Sequence, residues 1–207
     1  VKQQNLDLIS LNSHKIHGPK GIGALYIREG TKIIPLIHGG GHEFQKRSGT
    51  ENVPGIIGFA EAVKIADKRD VIKMKKLQDK LIEGILRISN TKLNGSIEKR
   101  LCNNINVSFK DIDGEVIASY LESLNAKHLT SSSNKKISQT KEKIYVSTGS
   151  ACQSHINESS HVLKAIGLKE NEINGAIRIS LSKFTTEKDV DYVLEKLYKI
   201  INRLRRT

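Results

Sequence analysis

The 207-residue sequence carries 34 Lys and Arg against 22 Asp and Glu, a formal charge of +12, and 37% of its residues are hydrophobic. That is enough apolar content for one full core or two small ones, but no apolar run approaches the about 18 residues a membrane span needs. The basic charge does not point to nucleic acid, because Lys and Arg are interspersed with acidic residues and aromatics make up only 4%, which leaves no stacking platform or basic stripe.

The first residues, beginning at Val1 on the approach to a strand, read as the inside of a longer protein with no membrane segment. The expected location is cytoplasmic, or an organelle matrix if a preceding half carries a targeting segment. Residues 1–37 read as three short strands, NLDLISL, GALYI and IIPLI, each aliphatic and bounded by Gly, Pro or charge. Between the first two lies SHKIHGPKGIG, which crowds three glycines and a proline into six residues. A lysine at a strand end, held by a glycine-rich turn, is suited to Schiff-base chemistry once partly desolvated, and Lys15 is that lysine.

HGGGHEFQKRSGTENVPG has no apolar period and reads as loop, after which Ile56, Ile57, Phe59, Ala60, Val63 and Ala66 repeat on one helical face with Pro54 in the first turn. A second helix carries Leu77, Leu81, Ile85 and Ile88. The junction near Asp67 to Asp70 divides the chain into residues 1–70 and a small α/β domain, 71–207. In the latter, NINVSF and AIRISLS alternate as strands, GEVIASYLESL and the segment from Thr186 to Leu204 have helical spacing, and Thr186 with Asp189 forms a capping-box pattern. Residues 127–143, with five lysines against one glutamate and no apolar period, read as a disordered surface insertion.

Cys102 and Cys152 are too few for a disulfide framework or a zinc site. His38 and His42 flank three glycines, and two ligands on one loop make a poor metal site, so no metal is expected.

Five motifs in order, SHKIHGPKGIGALYI, HGGGHE, RSGTENVPGIIGFAEA, STGSACQS and IRISLSKFTTEKDVD, closely resemble those of the cysteine desulfurases, fold-type I pyridoxal 5'-phosphate (PLP) enzymes of the class V aminotransferase group. The resemblance covers most of the chain. It implies the end of a large PLP-binding domain followed by a small α/β domain, the carboxy-terminal half of such an enzyme. It makes Lys15 the PLP lysine, His14 a contact to the cofactor phosphate, Thr50 a phosphate contact across a homodimer interface, Cys152 the persulfide-forming thiol and Arg178 the clamp for the substrate carboxylate. Asn12 stands where the family usually has a serine that binds phosphate, and its amide can take that place. Cys102 is a bystander. The implied reaction converts L-cysteine to L-alanine and leaves a persulfide for a sulfur-acceptor or scaffold protein in iron–sulfur cluster or thio-cofactor assembly. Two other readings stand beside it: a PLP aminotransferase or lyase without persulfide chemistry, and a non-catalytic fragment that pairs with a desulfurase.

Overall fold

The computed structural model describes residues 4–123, 143–148 and 159–206. The chain divides into two compact units, 1–67 and 68–207. Cys152 and the expected insertion, apart from Lys143, lie outside the described residues.

In the first unit, β1 (Leu8–Asn12) pairs antiparallel with β2 (Gly23–Ile27), Leu8 opposite Ile27 and Asn12 opposite Gly23. Their connection opens with a 3₁₀ turn, Ser13–Ile16, which ends at His17 in the left-handed region. Helix α1 (Val53–Lys64) begins where expected: Asn52 Oδ1 accepts the Gly55 N–H at 3.1 Å and Pro54 occupies the first turn, where its missing N–H costs nothing. IIPLI is not a strand. Pro35 cannot donate to a ladder, no strand pairs with the segment, and Ile34 and Leu36 project into solvent among the described residues. The loop that follows holds a short turn, His42–Gln45, whose Glu43, Phe44 and Gln45 all have positive φ.

The second unit is built on a three-stranded antiparallel sheet in the order β3 (Thr91–Leu93), β4 (Asn104–Phe109), β5 (Ala176–Ser180). Register opposes Ile105 to Ile179 and Val107 to Ile177, so the period of two sends these side chains and Phe109 to one face. Helices α2 (Lys68–Leu86), α3 (Gly114–Ser123) and the later α6 (Glu187–Leu204) cover that face. Leu81, Ile85, Ile117, Leu121, Leu197 and Ile201 pack against it, all at or near complete burial. Side chains of this size contribute about 1.5–3 kcal/mol each on full burial. The amino end of α6 is closed by the expected box: the Thr186 N–H donates to Asp189 Oδ2 at 2.7 Å and the Asp189 N–H to Thr186 Oγ1 at 3.3 Å. Two short helices, α4 (His161–Ala165) and α5 (Glu170–Asn174), precede β5, and Leu163, Leu168, Ile173 and Ala176 form a small second cluster. Among the described residues no helix is long and apolar enough to cross a membrane.

Candidate functional site

The close turns around Lys15 explain the glycines and proline that follow it. Gly18 packs so tightly on the Ser13 hydroxyl that any Cβ would collide with it, and the Gly18 N–H donates to the Ser13 carbonyl at 3.0 Å. Gly21 turns back at φ +82°, a conformation that costs glycine nothing. The Pro19 ring lies against Gly58 of α1, where a Cβ would sit 2.5 Å from Pro19 Cγ. Glycines on both partners therefore let helix and turn touch. Ser13 is fully buried and its Oγ has no hydrogen-bond partner, whereas His14 and Lys15 are exposed on the same turn, directly after Asn12 at the end of β1. Amide, imidazole and primary amine thus occupy four consecutive positions with Ser13. Thr50 is exposed in the separate loop before α1. There Ser48 Oγ donates to the Gly40 carbonyl at 2.7 Å and Arg47 Nη1 to the Ser48 carbonyl at 2.5 Å, which folds the loop on itself.

Arg178 belongs to the second unit and lies on the face of the sheet opposite the core. There the register sets up a lateral row. Arg178 is opposite Asn106 on β4, and the Asn94 N–H at the end of β3 donates to the Asn106 carbonyl at 2.9 Å. Beyond β5, Ser147 forms an isolated bridge with Arg178, exchanging N–H to carbonyl bonds of 3.0 and 2.6 Å. Asn94, Asn106, Thr148, His161 and Arg178 line a cavity of about 400 Å³. Its wall is the 94–103 connection, tied down by two side chains. Arg100 donates to the carbonyls of Ser96 at 3.1 Å, Asn104 at 3.4 Å and Asn94, and partial burial pulls its guanidinium below its ordinary value. The buried Gln78 donates through Nε2 to the carbonyls of Leu101 and Asn104 at 2.6 and 2.9 Å. Cys102 sits half-buried on this tethered wall as a free thiol. Among the described residues no group of three or more His, Cys, Asp or Glu is arranged to hold a metal.

The aminotransferase class-V model matches residues 1–193. The chain belongs to the aminotransferase class-V family. Among members with curated names, it is 48% identical to cysteine desulfurase IscS of Methanosarcina thermophila over 99% of this chain and 47% of that protein. It is 45% identical to cysteine desulfurase 2 of Trichormus variabilis over 99% of this chain and 48% of that one. Among solved structures, a NifS-like protein superimposes with a TM-score of 0.77 at 38% identity, covering 98% of this chain and 48% of its own. A NifS-like protein from Rickettsia africae gives 0.76 at 30% identity, covering 97% and 49%. This class-V chain therefore spans about half the length of the relatives it matches, and its mixed α/β architecture is theirs.

The family implies PLP, and the residues present suit its chemistry. Among the described residues the Lys15 amine makes no hydrogen bond or ion pair, so it is available to an aldehyde, and Asn12 and His14 add donors of the kind a phosphate accepts. The resemblance drew attention to Lys15 and Arg178 but not to the Asn94, Arg100, Asn106 and Gln78 set. Its one signal is the polar parity of NINVSF, which puts Asn106 on the face away from Ile105 and Val107.

Proposed function

We propose that the protein is a PLP-dependent cysteine desulfurase, and that this chain supplies its lysine, its acceptor thiol and its carboxylate clamp. The observation that carries the reading is the 48% identity to a curated cysteine desulfurase across 99% of the chain. The Lys15 turn and the Arg178 strand both fall within that stretch.

Bound PLP would contribute an aldehyde that condenses with amines and a ring that withdraws electrons from the substrate Cα. Lys15 would hold the cofactor, with Asn12 and His14 at its phosphate and Thr50 reaching the phosphate of a second subunit in a homodimer. Arg178 binds the L-cysteine carboxylate through two parallel N–H bonds, which fixes the substrate's orientation. The amine of Lys15 then moves the Cα proton as general base and acid. The Cys152 thiolate attacks the substrate sulfur: an S–S bond forms, the substrate C–S bond breaks, protonation of the carbon yields L-alanine, and Cys152 keeps the sulfur as a persulfide. An acceptor or scaffold protein would take that sulfur onward to iron–sulfur clusters or thio-cofactors.

The test uses the full-length protein with PLP. Lys15→Ala should abolish the visible absorbance of the bound cofactor, and Cys152→Ser should keep that absorbance while stopping persulfide formation and sustained alanine release. Mass spectrometry after addition of L-cysteine reads the adduct directly. A sulfur adduct on Cys102 alone, or full sulfur transfer by Cys152→Ser, would refute the assignment.

A further inference from the structure

The polar face of the second unit's sheet fixes the direction of one amide. Ser108 is buried, and its Oγ lies 2.6 Å from the Glu172 carbonyl. A carbonyl only accepts, so the single hydroxyl proton of Ser108 must point at Glu172. Towards its other neighbour Ser108 Oγ can then only accept. That neighbour, 2.8 Å away, is the side-chain amide of Asn94, 2% exposed, which must present Nδ2. The same Nδ2 lies 2.7 Å from the Asn106 amide. Both Nδ2 protons are thereby committed, one to Ser108 and one to Asn106, and the Asn106 atom facing Asn94 must be Oδ1. Carbonyl, hydroxyl and amide thus form a directional relay from Glu172 to Asn106, with no freedom to flip any member without setting two donors or two acceptors against each other. A clash of that kind in a buried site is strongly disfavoured.

The consequence falls on the far side of Asn106. With Oδ1 turned to Asn94, its Nδ2 is turned away from that strand, towards the β5 side of the row. Arg178 is there, directly opposite in register, which puts the two Cβ atoms about 5 Å apart on the same face. Both residues are half-buried and both line the cavity. No hydrogen bond takes up Asn106 Nδ2 among the described residues, and Asn106 and Arg178 cannot satisfy each other through those groups because both are donors. Two donors side by side, one charged and one neutral with its orientation built in, form a site for an acceptor.

We infer that Asn106 is a second anchor for the α-carboxylate held by Arg178, its amide oriented for that task by the Asn94–Ser108–Glu172 relay. The inference rests on Arg178 binding the substrate carboxylate. A guanidinium alone leaves a carboxylate free to slide between its edges; a neutral donor alongside accepts one oxygen and selects a single placement.

The test compares full-length, PLP-loaded protein with Asn106→Ala and Asn106→Asp. Calorimetric titration is done with L-alanine and with L-alaninamide, in which the carboxylate becomes a neutral amide, and KM for L-cysteine is measured beside it. Asn106→Ala should weaken L-alanine binding and raise KM about tenfold, the usual worth of a hydrogen bond to a charged group. Asn106→Asp should do so about a hundredfold by opposing two carboxylates. Neither should change L-alaninamide binding by more than about twofold, which separates contact with the carboxylate from general loosening of the sheet. Asn94→Asp provides the orientation test: an acceptor there turns the Asn106 amide round, so L-alanine binding should weaken with Asn106 itself intact. If Asn94→Asp does not fold, the two Asn106 variants still decide. Equal losses for L-alanine and L-alaninamide, or no loss for either, would overturn the inference. Failure of the unaltered protein to release alanine from L-cysteine would instead sink the desulfurase reading, while the two titrations would still report on Asn106.

Discussion

The two units divide their apolar residues in opposite ways. In the second, the sheet turns Ile105, Val107, Phe109, Ile177 and Ile179 under three helices and leaves them almost wholly buried. Among the described residues of the first, the only buried hydrophobic side chain is Ala62, and Leu8, Leu25, Ile34, Leu36 and Ile57 are all exposed. Both carry residues of the proposed site, so what differs is the support beneath them. Arg178 stands on a sheet with its own core. Lys15 stands on a two-stranded ribbon braced by one helix, an arrangement of marginal stability by itself. The precision of the Lys15 turn comes from close approach at Gly18 and Gly58, and not from an apolar core within the unit.

The largest effect expected from this contrast is on dissection. Residues 68–207 expressed alone should melt cooperatively by circular dichroism, whereas residues 1–67 alone should show no cooperative transition. A sharp transition in the short piece would dissolve the comparison. Within 68–207, Phe109→Ala removes a ring with 0% exposure and should cost about 3–5 kcal/mol in urea unfolding. Leu36→Ala in the whole chain touches a residue 94% exposed and should shift stability by no more than about 0.5 kcal/mol.

A smaller effect concerns the α6 cap. Thr186→Ala in 68–207 should cost about 1 kcal/mol at neutral pH through loss of the N-cap acceptor. The Thr186 backbone N–H, aided by its hydroxyl, holds the Asp189 carboxyl below its ordinary value. A carboxylate depressed on folding adds stability that is complete above its unfolded pKa, about 4, and is lost as pH falls through the lower folded value. Asp189→Ala should therefore be less stable than its parent at pH 7, and the gap in melting temperature should close on acidification below about pH 4. A gap independent of pH would mean that Asp189 acts through packing and not through its charge.

How far the fold could be read depended on how far each element carries its own period. NINVSF and AIRISLS alternate cleanly, and α6 repeats an apolar stripe over eighteen residues with its cap written in Thr186 and Asp189. Thr91–Leu93 was not legible as a strand because three residues with a central lysine have no pattern of their own; β4 makes them a strand by pairing with them. Helices α4 and α5, five residues each, are shorter than two turns and carry too little period to be seen. IIPLI misled for the converse reason, since an aliphatic run resembles a strand even where Pro35 interrupts it and no strand among the described residues pairs with it. At the site, Lys15 and Arg178 were conspicuous through motifs, each contiguous in sequence. The relay was not, because Asn94, Asn106, Ser108 and Glu172 come together only through strand register and the packing of α5. No spacing rule links a residue at 94 to one at 172.

The bridge between Ser147 and Arg178 has a consequence for reach. It fastens the chain to β5 at Arg178, five residues ahead of Cys152. Five residues span at most about 18 Å when fully extended, which bounds how far the proposed acceptor thiol can lie from the proposed clamp. Residues added or removed ahead of Ser147, as in the lysine-rich stretch from Lys127 to Lys143, leave that bound unchanged. Residues added between Ser147 and Cys152 raise it one by one. The bridge thus separates a stretch of chain whose length leaves that bound alone from one whose length sets it.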